Sequence, residues 1–168
     1  MFTLTERLTA ITGGSRVSAV IDLGSYVDVG DRQALQIHSV DYIVQGLTAS
    51  SDLATTFGGD AEVLTQVTDL NRGDMVFSND RALVSSMRLI YDSAGNASQD
   101  ADLYPDNYGK GADDGRFVVN DALYCGLLVN TIAGGQAVNV TIRVNASIVT
   151  LSQKDFMAIA IQSTAADN

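Results

Sequence analysis

Cysteine, proline and histidine each occur only once in this chain of 168 residues, and tryptophan is absent. The single cysteine, Cys125, excludes an intrachain disulfide, and we predict that it is a small hydrophobic residue buried within an apolar run. A lone histidine, His38, gives little reason to expect a zinc site, which needs further histidine or cysteine ligands. Both residues fall in predicted strands, which argues against a nucleophile–base pair.

Basic residues are also scarce: ten Lys and Arg oppose twenty Asp and Glu, giving a net charge of −10 at pH 7. No basic stripe is present to neutralise phosphates, so we predict no direct binding of nucleic acid. Glutamate occurs only at Glu6 and Glu62, and lysine only at Lys110 and Lys154. Short aspartates suit turns and strand ends, which favours a β protein with acidic loops, and adaptation to high salt is the alternative interpretation.

Several kinds of motif are missing as well. No apolar run reaches the roughly 18 residues of a transmembrane segment, and the N-terminus lacks the basic and apolar regions of a signal peptide. The sequence contains no phosphate-binding glycine loop, no Gly-x-Ser-x-Gly elbow and no His-x-x-x-His pair. We therefore predict no catalytic residues and no cofactor, and we do not expect an enzyme.

The clearest pattern that is present lies between Ala137 and Leu151, where apolar and polar residues alternate. A period of two held over this length predicts a long strand with one dry face and one polar face. The polar row is uncharged apart from Arg143, so we predict that it meets a neighbouring subunit. The other predicted contact residues of this row are Asn139, Thr141 and Asn145.

Other β-rich runs complete a count of seven or eight strands. Between Ala34 and Val44 the apolar phase slips by one residue near Ser39, which predicts a β-bulge. Two runs meet at Asn120-Asp121, a dipeptide compatible with a tight hairpin turn. The whole pattern predicts an all-β fold: an antiparallel β-sandwich, a single jelly roll of about eight strands with long loops, in one domain over residues 1–168.

Both ends of the chain are less regular. Residues 1–15 are interpreted as an N-terminal arm or one short helix, and a strand or cover on the chain's own core fits equally well. For residues 153–162, Ser152 resembles a helix cap, whereas the apolar run that follows favours a strand. We predict a last strand, with a short helix as the alternative, and a loose tail at 164–168.

The longest irregular stretch covers residues 92–115 and is rich in aspartate. A loop of this length is usually functional or an interaction surface. Weak candidates for a calcium site, by their spacing, are Asp100, Asp102 and Asp106. The closing glutamate and central glycine of an EF-hand are missing, so a solvated acidic loop is the main interpretation. Tyr104 and Tyr108 indicate that the loop packs on something, and we add them to the predicted subunit interface.

The strand patterns of Ala34 to Val44, Val118 to Tyr124 and Ile148 to Phe156 resemble those of one family of capsid proteins. These are the small major capsid proteins with a single vertical jelly roll, from tailless icosahedral, membrane-containing viruses of archaea or bacteria. The resemblance implies a self-assembling subunit of an icosahedral shell, located in the virion. It also implies contacts with copies of itself, a second capsid protein and an inner viral membrane. The alternative is a β-sandwich binding module or a surface or filament subunit, with calcium as a candidate ligand.

Overall fold

A computed structural model describes residues 1–101 and 115–165 of the chain. Within these residues nine strands and two helices are found. The strands are β1 Phe2–Ala10, β2 Arg16–Asp22, β3 Gln33–Gln45, β4 Ala61–Thr68, β5 Leu83–Tyr91, β6 Ala97–Ala101, β7 Arg116–Val118, β8 Ala122–Val129 and β9 Val138–Thr150; the helices are α1 Leu53–Phe57 and α2 Gln153–Ala165. Neither helix is long and apolar enough, within the described residues, to cross a membrane.

The strands form two antiparallel sheets, sheet A with the order β1-β9-β3-β7 and sheet B with the order β2-β8-β4-β5-β6. The pairs β1–β9, β2–β8, β3–β7 and β4–β5 are nested along the sequence, and successive pairs fall in alternate sheets. Such nesting arises when one long hairpin winds around itself, which is the connectivity of a jelly roll. The predicted all-β jelly-roll sandwich is therefore confirmed.

The core lies between the sheets and is built by alternation along each strand. On β9 every second residue from Val138 to Ala146 is fully buried, as the sequence pattern predicts. β8 contributes the facing row from sheet B, including Leu123, Leu127 and Cys125, the last only 1% exposed. Burial of each large aliphatic side chain in such a row contributes about 1.5–3 kcal/mol. The prediction that Cys125 is a buried hydrophobic residue is confirmed.

The predicted bulge in β3 is also confirmed, because the β3–β9 register shifts between Ile37 and Ser39. A one-residue slip without a bulge would send the rest of the apolar row to the outer face. With the bulge, Ile37 and Val40 both face the core and are fully buried. Gly115 packs against the bulge at a φ of 65°, and a side chain there would collide with the carbonyl oxygen of Ile37.

The prediction of a last strand over 153–162 was wrong, because this segment lies in helix α2. The Ser152 hydroxyl accepts a hydrogen bond from the Asp155 amide at 3.2 Å and donates to the Asp155 carboxylate at 2.6 Å, which caps the helix. Phe156 then packs against Ala34 and Val119 on the side of sheet A that faces away from the core. The local cap and this apolar contact together outweigh the strand propensity of the run.

The N-terminal segment is an edge strand rather than an arm: β1 pairs with β9 from Phe2 opposite Ala146 to Ala10 opposite Val138. A strand on the chain's own core was one of the interpretations that the sequence allowed. Strand β6 pairs with β5, so the stretch 92–115 is not a loop throughout. The predicted loose tail begins inside α2, and residues 166–168 lie outside the described part of the chain.

The expected hairpin at Asn120-Asp121 is wrong as well, since β7 belongs to sheet A and β8 to sheet B. The connection crosses between the sheets. It is held by a 2.7 Å hydrogen bond from the Asn120 side chain to the Asp69 carbonyl and by another of 2.7 Å from the Leu23 amide to the Asp121 carbonyl. Both partners are distant in sequence, so the dipeptide alone could not distinguish a crossover from a hairpin.

Candidate subunit interface

The outer face of sheet A brings the predicted contact row into one surface, which we name the polar face. It is formed by the outward side chains of β1, β9 and β3: Thr3, Thr5, Arg7, Thr9, Asn139, Thr141, Arg143, Asn145, Ser147, Ser39, Asp41, Ile43 and Gln45. Four predicted interface residues, Asn139, Thr141, Arg143 and Asn145, lie in its central row. Tyr104 and Tyr108, the other two, lie outside the described residues.

Two asparagines bridge the three strands of the polar face. The Thr3 hydroxyl donates to the Asn145 side-chain oxygen at 2.8 Å, and the Asn145 amide donates to the Ser39 hydroxyl at 2.9 Å. At the other end, the Thr9 hydroxyl donates to Asn139 at 2.7 Å, and the Asn139 amide donates to the Gly46 carbonyl at 2.7 Å. These bonds fix the side chains of Asn139 and Asn145 between their neighbouring strands, with both the oxygen and the amide of each bonded.

Little net charge lies on the polar face. Its charged residues are Arg7, Arg143 and Asp41, whereas the whole chain carries −10. Arg143 is exposed and lies opposite Thr5 of β1 and Asp41 of β3. With two arginines against one aspartate, the polar face lacks the negative charge that dominates the rest of the protein, so two copies repel one another less there.

The bulge in β3 places His38 beside the polar face, where it contacts Ser147. The sequence alone did not indicate this contact. The His38 Nε2 atom lies 2.7 Å from the Ser147 hydroxyl, 109 residues further along the chain, and Ser147 also lies 3.4 Å from the Gln36 side-chain oxygen. Ser147 sits within the β3–β9 ladder, opposite Gln36, so its strand lacks the exposed turn that presents a nucleophile. The contact is therefore a structural hydrogen bond at the bulge.

Sheet B has a different outer face, because residues 70–80, named the covering segment, lie across it. The Gln66 side chain donates to the Val76 carbonyl at 2.7 Å and accepts from the Val76 amide at 2.8 Å. The Arg16 guanidinium donates to the Gly73 carbonyl at 2.6 Å. Gly126 of β8 lets Met75 approach, since a side chain at this glycine would meet the Met75 sulfur at 3.0 Å.

Beside the covering segment lies a groove of 530 Å³. It is lined by Glu62, Leu64, Gln66, Met75, Val76, Phe77, Ser78, Ser86, Arg88 and Asp100. The Arg88 Nε atom contacts the Glu62 carboxylate at 2.6 Å, and Asp100 lies opposite Arg88 in the β5–β6 register. Phe77 is 87% exposed at the groove. This volume falls within the range of about 300–1,000 Å³ typical of ligand pockets.

The predicted calcium candidates are only partly described. Asp100 is exposed on β6, whereas Asp102 and Asp106 lie outside the described residues. Within residues 1–101 and 115–165, no group of three His, Cys, Asp or Glu side chains could hold a metal ion. The calcium hypothesis therefore stays a prediction.

A buried ion pair joins the two sheets below these faces. Arg116 of β7 contacts the Asp69 carboxylate at 2.9 Å and donates to the carbonyls of Leu83 and Arg81, each at 2.6 Å. Burial raises the pKa of Asp69 above its usual value, and the charge of Arg116 opposes that rise. Burial, with a smaller contribution from Glu6, also raises the pKa of the Cys125 thiol to about 12, so this thiol is not a nucleophile at neutral pH.

No family model and no curated protein matches the chain. Among solved structures, it is similar to VP1 of Trichodysplasia spinulosa-associated polyomavirus in complex with sialylated precision glycooligomers, with 11% identity, 89% of this chain and 95% of that chain covered, and a TM-score of 0.40. The chain is also similar to the same VP1 in complex with GM1 oligosaccharide, with 10% identity and a TM-score of 0.38. The match covers 89% of this chain and 96% of that chain. Neither comes from the membrane-containing viruses of archaea or bacteria that the strand patterns led us to expect. Values this low carry no functional argument, and the jelly-roll assignment rests on the order of the strands.

Proposed function

We propose that the chain is a structural subunit of a viral capsid, which assembles with copies of itself into an icosahedral shell of the virion. The polar face is the observation that carries this proposal. Asn139 and Asn145 already bond to the neighbouring strands, so covering them with another copy leaves their amide groups satisfied. Because the face has little net charge, two copies can approach there with less repulsion than over the acidic remainder of the surface.

The proposal extends to the partners that the sequence resemblance implies. We propose contacts with a second capsid protein and with an inner viral membrane, and no direct contact with nucleic acid. The net charge of −10 supports the last point, because phosphates would be repelled. Flotation with vesicles of neutral lipid and with vesicles of anionic lipid tests the membrane contact. Protein that stays at the bottom of the gradient with both kinds of vesicle would contradict this contact.

Size-exclusion chromatography with light scattering, over a range of salt and protein concentrations, tests the proposed function. We expect large closed assemblies of the wild-type chain. Arg143→Glu places a negative charge at the centre of the polar face and should abolish the closed assemblies. The matched control is Arg81→Glu, the same charge change at an exposed position outside the polar face, which should assemble as the wild type does. A wild-type monomer at every salt concentration would contradict the proposal.

The groove on sheet B supports a second candidate, a β-sandwich binding module with calcium as a possible ligand. Its exposed Phe77 and the neighbouring carboxylates of Glu62 and Asp100 could hold a ligand. A calcium titration of the melting temperature separates this candidate from the first. A saturable rise would support it, and an unchanged melting temperature would exclude the calcium-dependent form.

A further inference from the structure

We infer that the groove on sheet B receives helix α2 from a second copy of the chain. The contact surface of α2, named the ridge, consists of the exposed side chains of Lys154, Met157 and Ile161. The inference rests on the proposed self-association. It adds a second contact between copies, made by a different pair of surfaces.

The ridge offers two apolar side chains, Met157 and Ile161, that no described residue of the same copy covers. Its three residues are spaced i, i+3 and i+7, so they lie on one side of the helix. The side that packs on the sandwich holds Phe156, and Ile159 is partly buried with it. Met157 is 55% exposed and Ile161 is 62% exposed. Apolar anchors at this spacing are the usual means by which an amphipathic helix docks into a groove.

The groove is complementary to the ridge in both polarity and charge. Leu64, Met75 and Phe77 provide apolar surface for Met157 and Ile161. The carboxylates of Glu62 and Asp100 exceed the single guanidinium of Arg88, so the groove is negative overall. The ammonium group of Lys154 at one end of the ridge matches this charge. Opposite charges that face each other across an interface fix its register and orientation.

The positions of the two surfaces require two copies. Phe156 packs on the outer side of sheet A, whereas the groove lies on the outer side of sheet B. The ridge of one copy therefore cannot reach its own groove. After a single contact, one copy still offers a free groove and the other a free ridge. Such a head-to-tail contact continues from copy to copy and closes when the rotation between copies permits it.

A mixing experiment tests the contact apart from the polar face. All proteins carry Arg143→Glu, which removes the polar-face contact. One protein adds Phe77→Ser in the groove, and the other adds Met157→Ser and Ile161→Ser on the ridge. All three added positions are exposed, so unchanged circular dichroism and melting temperature are the expected folding controls. Association of each protein is measured by sedimentation velocity at concentrations where the wild type is assembled.

Each protein alone should associate at least about 30-fold more weakly than Arg143→Glu, the effect of losing an anchor residue. An equimolar mixture should form a complex of two chains and no larger species, because only one intact groove and one intact ridge can meet. In the mixture, Lys154→Glu on the protein with the intact ridge should abolish the complex, and Asp100→Lys on its partner should restore part of it.

Two results separate this inference from the proposed function. If the wild type assembles but the mixture contains only monomers, the groove–ridge contact is wrong and the proposed shell stands. If the wild type is monomeric under every condition, the proposed function fails and this inference fails with it.

Discussion

The outer faces of sheets A and B look away from the same core, yet their side chains differ. On the polar face of sheet A the side chains are almost all polar, and Asn139 and Asn145 connect the strands by hydrogen bonds. Outward positions of sheet B include the apolar Leu64, and the covering segment lies across them. A polar outer face can stay open until another copy covers it, whereas an apolar one is covered first by its own chain. The two faces are therefore suited to different contacts.

The largest loss of stability should come from breaking the ion pair that joins the two sheets and so holds their outer faces in place. Arg116→Met removes the guanidinium that contacts the buried Asp69 carboxylate and leaves only the weaker attraction of Arg72. We expect it to lower the free energy of unfolding by about 3–5 kcal/mol at pH 7. Urea unfolding measures this loss. Adding Asp69→Asn to the variant should recover part of it, and a loss below about 1 kcal/mol would show that the pair does not join the sheets.

The Asp69 carboxyl group also makes the stability of the protein depend on pH. Because the pKa of Asp69 is raised in the folded chain, its contribution favours folding below the usual carboxyl pKa and is lost as pH rises through the raised value. The penalty of Arg116→Met should therefore shrink as pH falls through that range, since the protonated carboxyl group needs no counter-charge. Urea unfolding of both proteins at a series of pH values measures the difference, and a penalty that does not change with pH would contradict the argument.

The next effect should come from releasing the covering segment of sheet B. Gln66→Ala removes both hydrogen bonds to the Val76 backbone, and we expect a loss of about 2 kcal/mol in unfolding free energy. Proteolysis within residues 70–80 should become faster than in the wild type. Gln99→Ala, at an exposed position of β6, is the matched control and should change stability by less than about 0.5 kcal/mol. Equal losses in the two variants would show that Gln66 does not fix the segment.

A smaller effect is expected on the polar face, whose hydrogen bonds are open to water. Asn145→Ala should lower the unfolding free energy by about 1 kcal/mol. A double-mutant cycle with Thr3→Val should give a coupling of about 0.5 kcal/mol, because the two side chains are bonded at 2.8 Å. Purely additive losses would mean that the row is not connected. We expect the same substitutions to weaken assembly more strongly than folding.

The smallest effect is expected for a thiol reagent directed at the core between the two sheets. Cys125 lies in the core with a raised pKa, so a thiol reagent at pH 8 should leave it unmodified in the folded chain and label it fully in urea. Rapid labelling without urea would show that the two sheets separate readily. Cys125→Ala serves as the control for reaction at other groups.

The strand pattern of β9 and the bulge near Ser39 could be predicted because both depend on alternation within one strand. The polar row around Arg143 followed from the same alternation. The groove and the ion pair between the sheets could not be predicted from the sequence. They depend on contacts such as Gln66 with Val76 and Asp69 with Arg116, and no local sequence pattern indicates these contacts. Helix α2 was misjudged because its apolar run fits either structure, and its packing partners lie on distant strands.

Electron cryo-microscopy of particles assembled from the wild-type chain tests the central claim most directly. The jelly roll is placed in the map, and the contacts of each copy are read from it. We predict closed shells in which the polar face around Asn139, Arg143 and Asn145 is buried against a neighbouring copy. Shells that leave this face open to solvent on every copy, or a chain that forms no particles, would contradict the claim.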